Sequence, residues 1–130
     1  MVTNITQREL EQLNRLRFTL ESLIIDIICE ENSKDDILTL NSFIFDTFEE
    51  SDNASDLNFR FHMALSNLTK DAYLVNILEN ILGSALRVEQ SISYTNRENW
   101  QDFHRGIVSA LLKRDAAKAK EHLLADIGQR

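Results

Sequence analysis

Asp102-Phe103-His104-Arg105-Gly106-Ile107-Val108-Ser109-Ala110-Leu111-Leu112-Lys113-Arg114-Asp115, continued by Ala116-Ala117-Lys118-Ala119-Lys120-Glu121-His122-Leu123-Leu124-Ala125-Asp126, is the stretch whose reading decides the fold. It reads as two antiparallel helices hinged at Arg114-Asp115. With Asp115 as the mirror point, His104 lies eleven residues before it and Asp126 eleven after. At about 1.5 Å per residue both sit roughly 16 Å from the turn, side by side. His104 shares a stripe with Trp100, Ile107, Val108 and Leu111, and Asp126 shares one with Ala119 and Leu123, so both point inward. An imidazole and a carboxylate facing each other inside a bundle need a reason. One is a buried hydrogen-bonded pair; the other is a metal site that draws further ligands from a third helix.

Working outward, Thr95-Asn96-Arg97-Glu98 is a capping-box pattern that opens the fifth helix, and Asp115 caps the sixth. Upstream, Leu74, Ile77, Leu78, Ile81, Leu82 and Ala85 mark a long fourth helix. Leu57, Phe61, Ala64, Leu65 and Leu68 set up a third, which Thr69-Lys70-Asp71 ends. A second helix is expected from the Asn32-Ser33-Lys34-Asp35-Asp36 cap to about Glu50, with Ile37, Leu40, Ile44 and Phe48 inward. The first runs from the Thr6-Gln7-Arg8-Glu9 capping box to about Glu30. Its Leu13, Leu16, Leu20, Leu23, Ile24 and Ile27 form the inward stripe, and Ile25 and Ile28 widen it enough to suggest a dimer surface. No Pro and three Gly in 130 residues leave little to punctuate strands. The expectation is one domain over residues 1–130, all-α, an antiparallel bundle of about six helices.

A formal charge of −7 offers no basic face for phosphates, which argues against nucleic-acid binding by this chain itself. The single Cys29 lies in an apolar run and reads as a structural thiol, and it excludes an intrachain disulfide. No apolar run approaches the ~20 residues that span a bilayer, and the polar start lacks a signal core. A soluble, cytoplasmic protein without membrane contact is expected.

Asn58 and His62, four apart on the third helix, stack on one face and present an oxygen and a nitrogen to one point. Asp56 lies six residues from His62, roughly 120° around the helix at ~3.6 residues per turn. With His104 and Asp126 they make a set of two imidazoles and one carboxylate, Asn58 adding a neutral oxygen. The same residues also suit a hydrogen-bonded polar core. His122, one turn before Asp126, is a substitute ligand or a partly exposed surface histidine. Arg17 and Arg87 border apolar stripes, where each offers a fork to a carboxylate or forms an ordinary ion pair. Trp100 reads as a core plug. Neither a Gly-rich phosphate loop nor a cysteine-based zinc motif occurs.

With these positions laid out, the order of elements resembles the FCD domain, the effector-binding half of FadR-type GntR transcription regulators. The resemblance rests on Arg17-Phe18-Thr19-Leu20-Glu21, on Asn58-Phe59-Arg60-Phe61-His62-Met63-Ala64-Leu65, and on Phe103-His104-Arg105-Gly106-Ile107-Val108-Ser109-Ala110-Leu111 followed by Arg114-Asp115 and Ala119. It covers almost the whole chain. In such domains an Asp and three His commonly hold a divalent metal, beside a pocket for a small organic acid; for this chain zinc, nickel or a similar ion is expected. Carried over, His62 and His104 match, whereas Asn58 stands where Asp is usual and Asp126 where the third His is usual. The resemblance implies a sensor of a small carboxylate metabolite, working as a homodimer; Arg17 or Arg87 is expected to neutralise the rest of the effector's charge. DNA would be reached only through a separate N-terminal winged helix-turn-helix, which these 130 residues do not contain. Binding rather than turnover is expected, so not an enzyme. The rivals are a metal-dependent hydrolase or oxygenase in a helical bundle, and a metal-free structural dimerisation module.

Overall fold

Short polar side chains fix where the helices start. Ser33 accepts from the Asp36 amide at 3.1 Å, Asp71 from the Tyr73 and Leu74 amides at 3.0 and 3.2 Å, and Asp115 from the Lys118 amide at 3.0 Å. Each satisfies donors that a helix N-terminus leaves without an internal partner. The computed structural model describes residues 7–44, 54–92 and 97–128, the side chains within 7–44, 56–86 and 101–127. The elements are α1 (Gln7–Glu31), α2 (Lys34–Leu38), a 3-10 turn (Thr39–Phe43), α3 (Ala54–Asn67), α4 (Ala72–Ile92), α5 (Arg97–Leu112) and α6 (Ala116–Gly128). No strand occurs among the described residues, and the all-α bundle of six helices is the fold the sequence predicts. Two capping boxes, at Thr6 and at Thr95-Asn96, start outside the described residues, as do Phe45 and Phe48.

The second helix stops at Leu38, well before Glu50, and tightens into the 3-10 turn. Thr39 turns its hydroxyl onto the Asp36 carbonyl. Thr39, Asn41 and Ser42 all favour such local bonds over helix propagation. Ile37 and Leu40 are nevertheless in the core, as their spacing requires.

Three tethers give the helices their directions. Asn32, just past α1, donates to the Leu68 carbonyl just past α3 at 2.9 Å. Arg114, just past α5, reaches the carbonyls of Ile28, Cys29 and Asn32 at 3.3, 3.5 and 2.6 Å. The C-terminal ends of α1, α3 and α5 therefore gather at one end of the bundle, so these helices run the same way. Leu10 packs on Ala85, so α4 runs against α1, and α6 returns against α5 after a tight turn. Lys120 pairs with Asp26 at 2.8 Å and ties α6 to α1.

Because α1 lies between α4 and α6, it must bury a wide stripe. Ile25 and Ile28 are fully buried in the main core with Ile24, Leu65, Leu78 and Leu111, and are not a free dimer surface. The stripe is also rotated from the expected one: Leu10, Asn14, Arg17, Glu21, Ile24 and Ile28 face inward, while Leu16 and Leu23 are 52% and 47% exposed. Burying each large core side chain contributes about 1.5–3 kcal/mol. That apolar surplus is what tolerates three polar residues on the inner face of α1.

Arg114 adopts a left-handed conformation, φ 58°, and ends α5 with the Asp115 amide on the Ala110 carbonyl at 2.9 Å. This is a Schellman-type stop without glycine, which costs roughly 1 kcal/mol of backbone strain. The guanidinium offsets it by satisfying the negative end of α1. Arg114→Ala keeps the strain and loses the tether; Arg114→Gly loses the tether but relieves the strain. In urea melts both are expected to be less stable than the parent, Ala by about 1 kcal/mol and Gly by less. An alanine variant as stable as the parent would mean the tether contributes nothing.

Candidate metal centre

Arg17 and Glu21 are one turn apart on α1, so their side chains meet on the inner face. Arg17 Nε donates to Glu21 Oε2 at 2.8 Å, and both are buried. The other oxygen, Glu21 Oε1, bonds His62 Nδ1 from α3. His62 Nε2 is 2.8 Å from Asp126 Oδ2 of α6, and His104 Nε2 of α5 is 3.2 Å from the same oxygen. Phe61 closes one side, stacked on the His104 ring with centroids 4.0 Å apart, while the two imidazoles meet edge to face at 5.0 Å. Four helices thus converge on one buried chain of polar groups: Arg17, Glu21, His62, Asp126, His104.

The bonding pattern sets the charges. Both ring nitrogens of His62 face carboxylates, which accept only, so both must donate and His62 is an imidazolium. Burial alone would lower its pKa, but Glu21 and Asp126 outweigh that and raise it. Burial pushes Glu21 up, and His62 with Arg17 pulls it below the usual carboxylate range. Asp126 follows the same logic, its burial overcome by His104 and His62. For His104 burial wins over Asp126; its pKa falls, and it stays neutral and donates from Nε2. Two cations and two anions cancel. That is how so many ionisable groups avoid the full cost of leaving water.

One ligand atom from each of His62, His104 and Asp126 lies within 4.8 Å of the others. Ligands of one ion at about 2.0–2.2 Å are no more than ~4.4 Å apart, so a small inward shift suffices. Asn58, one turn before His62, is buried, and its Oδ1 has no hydrogen-bond partner. An orphaned buried oxygen one helical turn from His62, together with the two imidazoles and the carboxylate, fits a site for a divalent cation. His122 packs elsewhere: its ring lies against Gly106 of α5, where an added Cβ would come within 2.6 Å of Nδ1. Arg17 is in the cluster, held by Glu21. The side chains of Arg87 and Trp100 lie outside the described residues.

Glu21 is the residue that sequence reasoning missed. An Arg and a Glu four apart look like a solvated helix pair, and the neighbouring leucines claim the inner face. The available signal was the stripe Arg17, Glu21, Ile24, Ile28, which is as regular as the leucine stripe and begins at an arginine that borders an apolar face.

The FCD domain profile matches residues 12–129. The chain is 23% identical over 133 residues to the uncharacterized HTH-type transcriptional regulator YdhC of Bacillus subtilis, covering 95% of this chain and 59% of YdhC. It is 24% identical over 108 residues to the uncharacterized HTH-type transcriptional regulator YcbG of the same organism, covering 82% of this chain and 46% of YcbG. Both relatives are named as transcriptional regulators, and the chain spans about half the length of each. The solved structure of E. coli McbR/YncC shares the fold, with a TM-score of 0.75 at 15% identity over 99% of this chain and 65% of that one. The profile match runs over nearly the full length of an all-helical chain, and the chain belongs to the FCD domain family.

Proposed function

We propose that this domain senses a small organic acid for a GntR-type transcription regulator, and that a divalent cation held by His62, His104, Asp126 and Asn58 anchors the acid. The observation that carries this reading is the Glu21–His62 bond. A carboxylate on Nδ1 fixes an imidazole with Nε2 aimed at the other candidate ligands, as carboxylates bonded to the far nitrogen orient metal-bound histidines. When bound, such an ion supplies Lewis acidity toward a carboxylate oxygen. With His62 neutral, the sum over Arg17, Glu21, Asp126 and a dication is +1, which one carboxylate neutralises. Arg17 holds Glu21 in place and adds positive charge beside the acid; Arg87 is assigned a similar role toward it. His122 stands in for Asp126 only if α6 shifts by a turn. The regulator acts in the cytoplasm; no described helix is long and apolar enough to cross a membrane. DNA is contacted through a separate winged helix-turn-helix domain.

A homodimer is part of this proposal, with its interface moved from Ile25 and Ile28 to the outer face of α1 and α4. Leu16 and Leu23 are exposed on α1, and Tyr73 and Ile77 are 84% and 49% exposed on α4. Given the Leu10–Ala85 contact and antiparallel packing, Leu23 lies level with Tyr73 and Leu16 near the level of Ile77. Exposed apolar side chains concentrated on two adjacent helices fit an isologous interface.

Purified chain is expected to take up zinc or nickel near stoichiometrically. A thermal-shift screen should then yield organic acids whose stabilisation, about 2.7 kcal/mol at a hundred times Kd, disappears with EDTA or with His104→Ala. Unchanged metal content in His104→Ala would defeat the site, and hits confined to amines or nucleotides would defeat the acid.

The proton on His62 competes with the ion for Nε2. Its raised pKa means that in EDTA its stabilising contribution is complete below about 6.5 and lost as pH rises through the folded value. Neutral His104 contributes in the opposite sense, above about 6.5 and lost as pH falls through its lowered value, with Glu21 and Asp126 lost further into acid. Melting temperature in EDTA should therefore decline on both sides of neutrality, whereas the increment from added zinc should grow with pH. A zinc increment independent of pH between 6 and 9 would exclude His62 as a ligand.

By light scattering at tens of micromolar the parent is expected to be a dimer and Leu16→Glu/Leu23→Glu a folded monomer. A monomeric parent would remove the dimer from the proposal.

A further inference from the structure

Two buried amides outside the cluster carry polar atoms without a hydrogen-bond partner. Asn14 is 6% exposed and Gln101 4% exposed; both amide atoms of Asn14 and Nε2 of Gln101 have no hydrogen-bond partner. Asn14 lies one turn before Arg17 on α1, and Gln101 three residues before His104 on α5, about 4.5 Å along the helix in each case. Since α1 and α5 run the same way and touch, both amides lie on the same side of the cluster, away from the end tethered by Arg114. Buried polar atoms without partners are rare because each forfeits its bonds to water, so a layer of them beside a charged site marks a place that something else completes.

We infer that Asn14 and Gln101 bind neutral hydroxyl groups of the acid, making the effector a hydroxy- or polyhydroxy-monocarboxylic acid. The inference rests on the acid-sensing reading above and narrows its ligand. A hydroxyl both donates and accepts, so it satisfies either end of an amide. An alkyl tail would leave the amides dry and unpaired. A second carboxylate accepts only, and adds a charge where one carboxylate already balances the cation, His62, Asp126, Glu21 and Arg17. Uncharged donors and acceptors at this distance select oxygen functions on the carbons next to the acid group.

The test is a ladder of probes on the 130-residue chain by calorimetry, run with zinc and with EDTA: propanoate, 2-hydroxypropanoate, 2,3-dihydroxypropanoate and butanedioate. Affinity is expected to rise at least tenfold from propanoate to dihydroxypropanoate, with butanedioate no tighter than propanoate. Asn14→Leu and Gln101→Met should each flatten the ladder while leaving propanoate and zinc affinity unchanged, and Asn14→Leu should raise the melting temperature of the ligand-free protein. The two variants sit on different helices, so one that fails to fold leaves the other to decide. A flat ladder in the parent, tightest binding of butanedioate, a ladder retained in a folded variant, or no acid bound in either condition would overturn the inference. A protein that takes up no zinc yet ranks the acids by hydroxyl count supports the amide layer and removes the metal anchor, whereas zinc uptake with a flat ladder does the reverse.

Discussion

The bond between Glu21 and His62 is the constraint on which the rest of the bundle turns. A carboxylate buried to zero exposure survives only with cations on both of its oxygens, and here Arg17 takes one and His62 the other. His62 in turn survives as a cation only because Asp126 takes its second nitrogen. Remove one member and its neighbour becomes an uncompensated charge in the interior, a loss several times that of an exposed ion pair. Helices α1, α3 and α6 are therefore locked in rotation as well as in position, because none can turn about its axis without pulling a charge off its partner.

That lock explains why α1 faces the way it does. By hydropathy alone Leu13, Leu16, Leu20 and Leu23 are as good an inner stripe as the one adopted, and the leucines would bury more apolar area. The observed rotation gives up Leu16 and Leu23 to the surface in order to bring Arg17 and Glu21 to His62. The exposure of Leu16 and Leu23 is thus the cost of the polar lock, since a helix cannot present both stripes to one core.

Most of the fold was legible because it depends on short-range signals. Asp115 and Ser33 cap where capping residues should, and the mirror argument about Asp115 sets His104 beside Asp126, as their 3.2 Å contact shows. What failed was the choice between two overlapping stripes on α1 and the length of α2. Helical periodicity reports that a face is buried, but when polar residues carry partners on other helices the partner decides the face, and a single helix does not contain that information. The end of α2 turned on a weak competition between helix propagation and the local bonds of Thr39, Asn41 and Ser42, where a few tenths of a kcal/mol decide.

The cluster also departs from the usual FCD set in a way that conserves charge. An Asp and three His carry one negative charge, and so do Asn58, His62, His104 and Asp126. The carboxylate has moved from α3 to α6, where a single oxygen reaches both imidazoles. In that place it is the internal partner of protonated His62, while the Asn58 position on α3 holds a neutral amide with an orphaned oxygen. The core is therefore complete by itself, with Arg17, Glu21, His62 and Asp126 balanced in charge. Under the proposed function a dication would replace one proton on His62 and take this neutral cluster to a charge of +1, so affinity for an anionic ligand would follow from the same exchange.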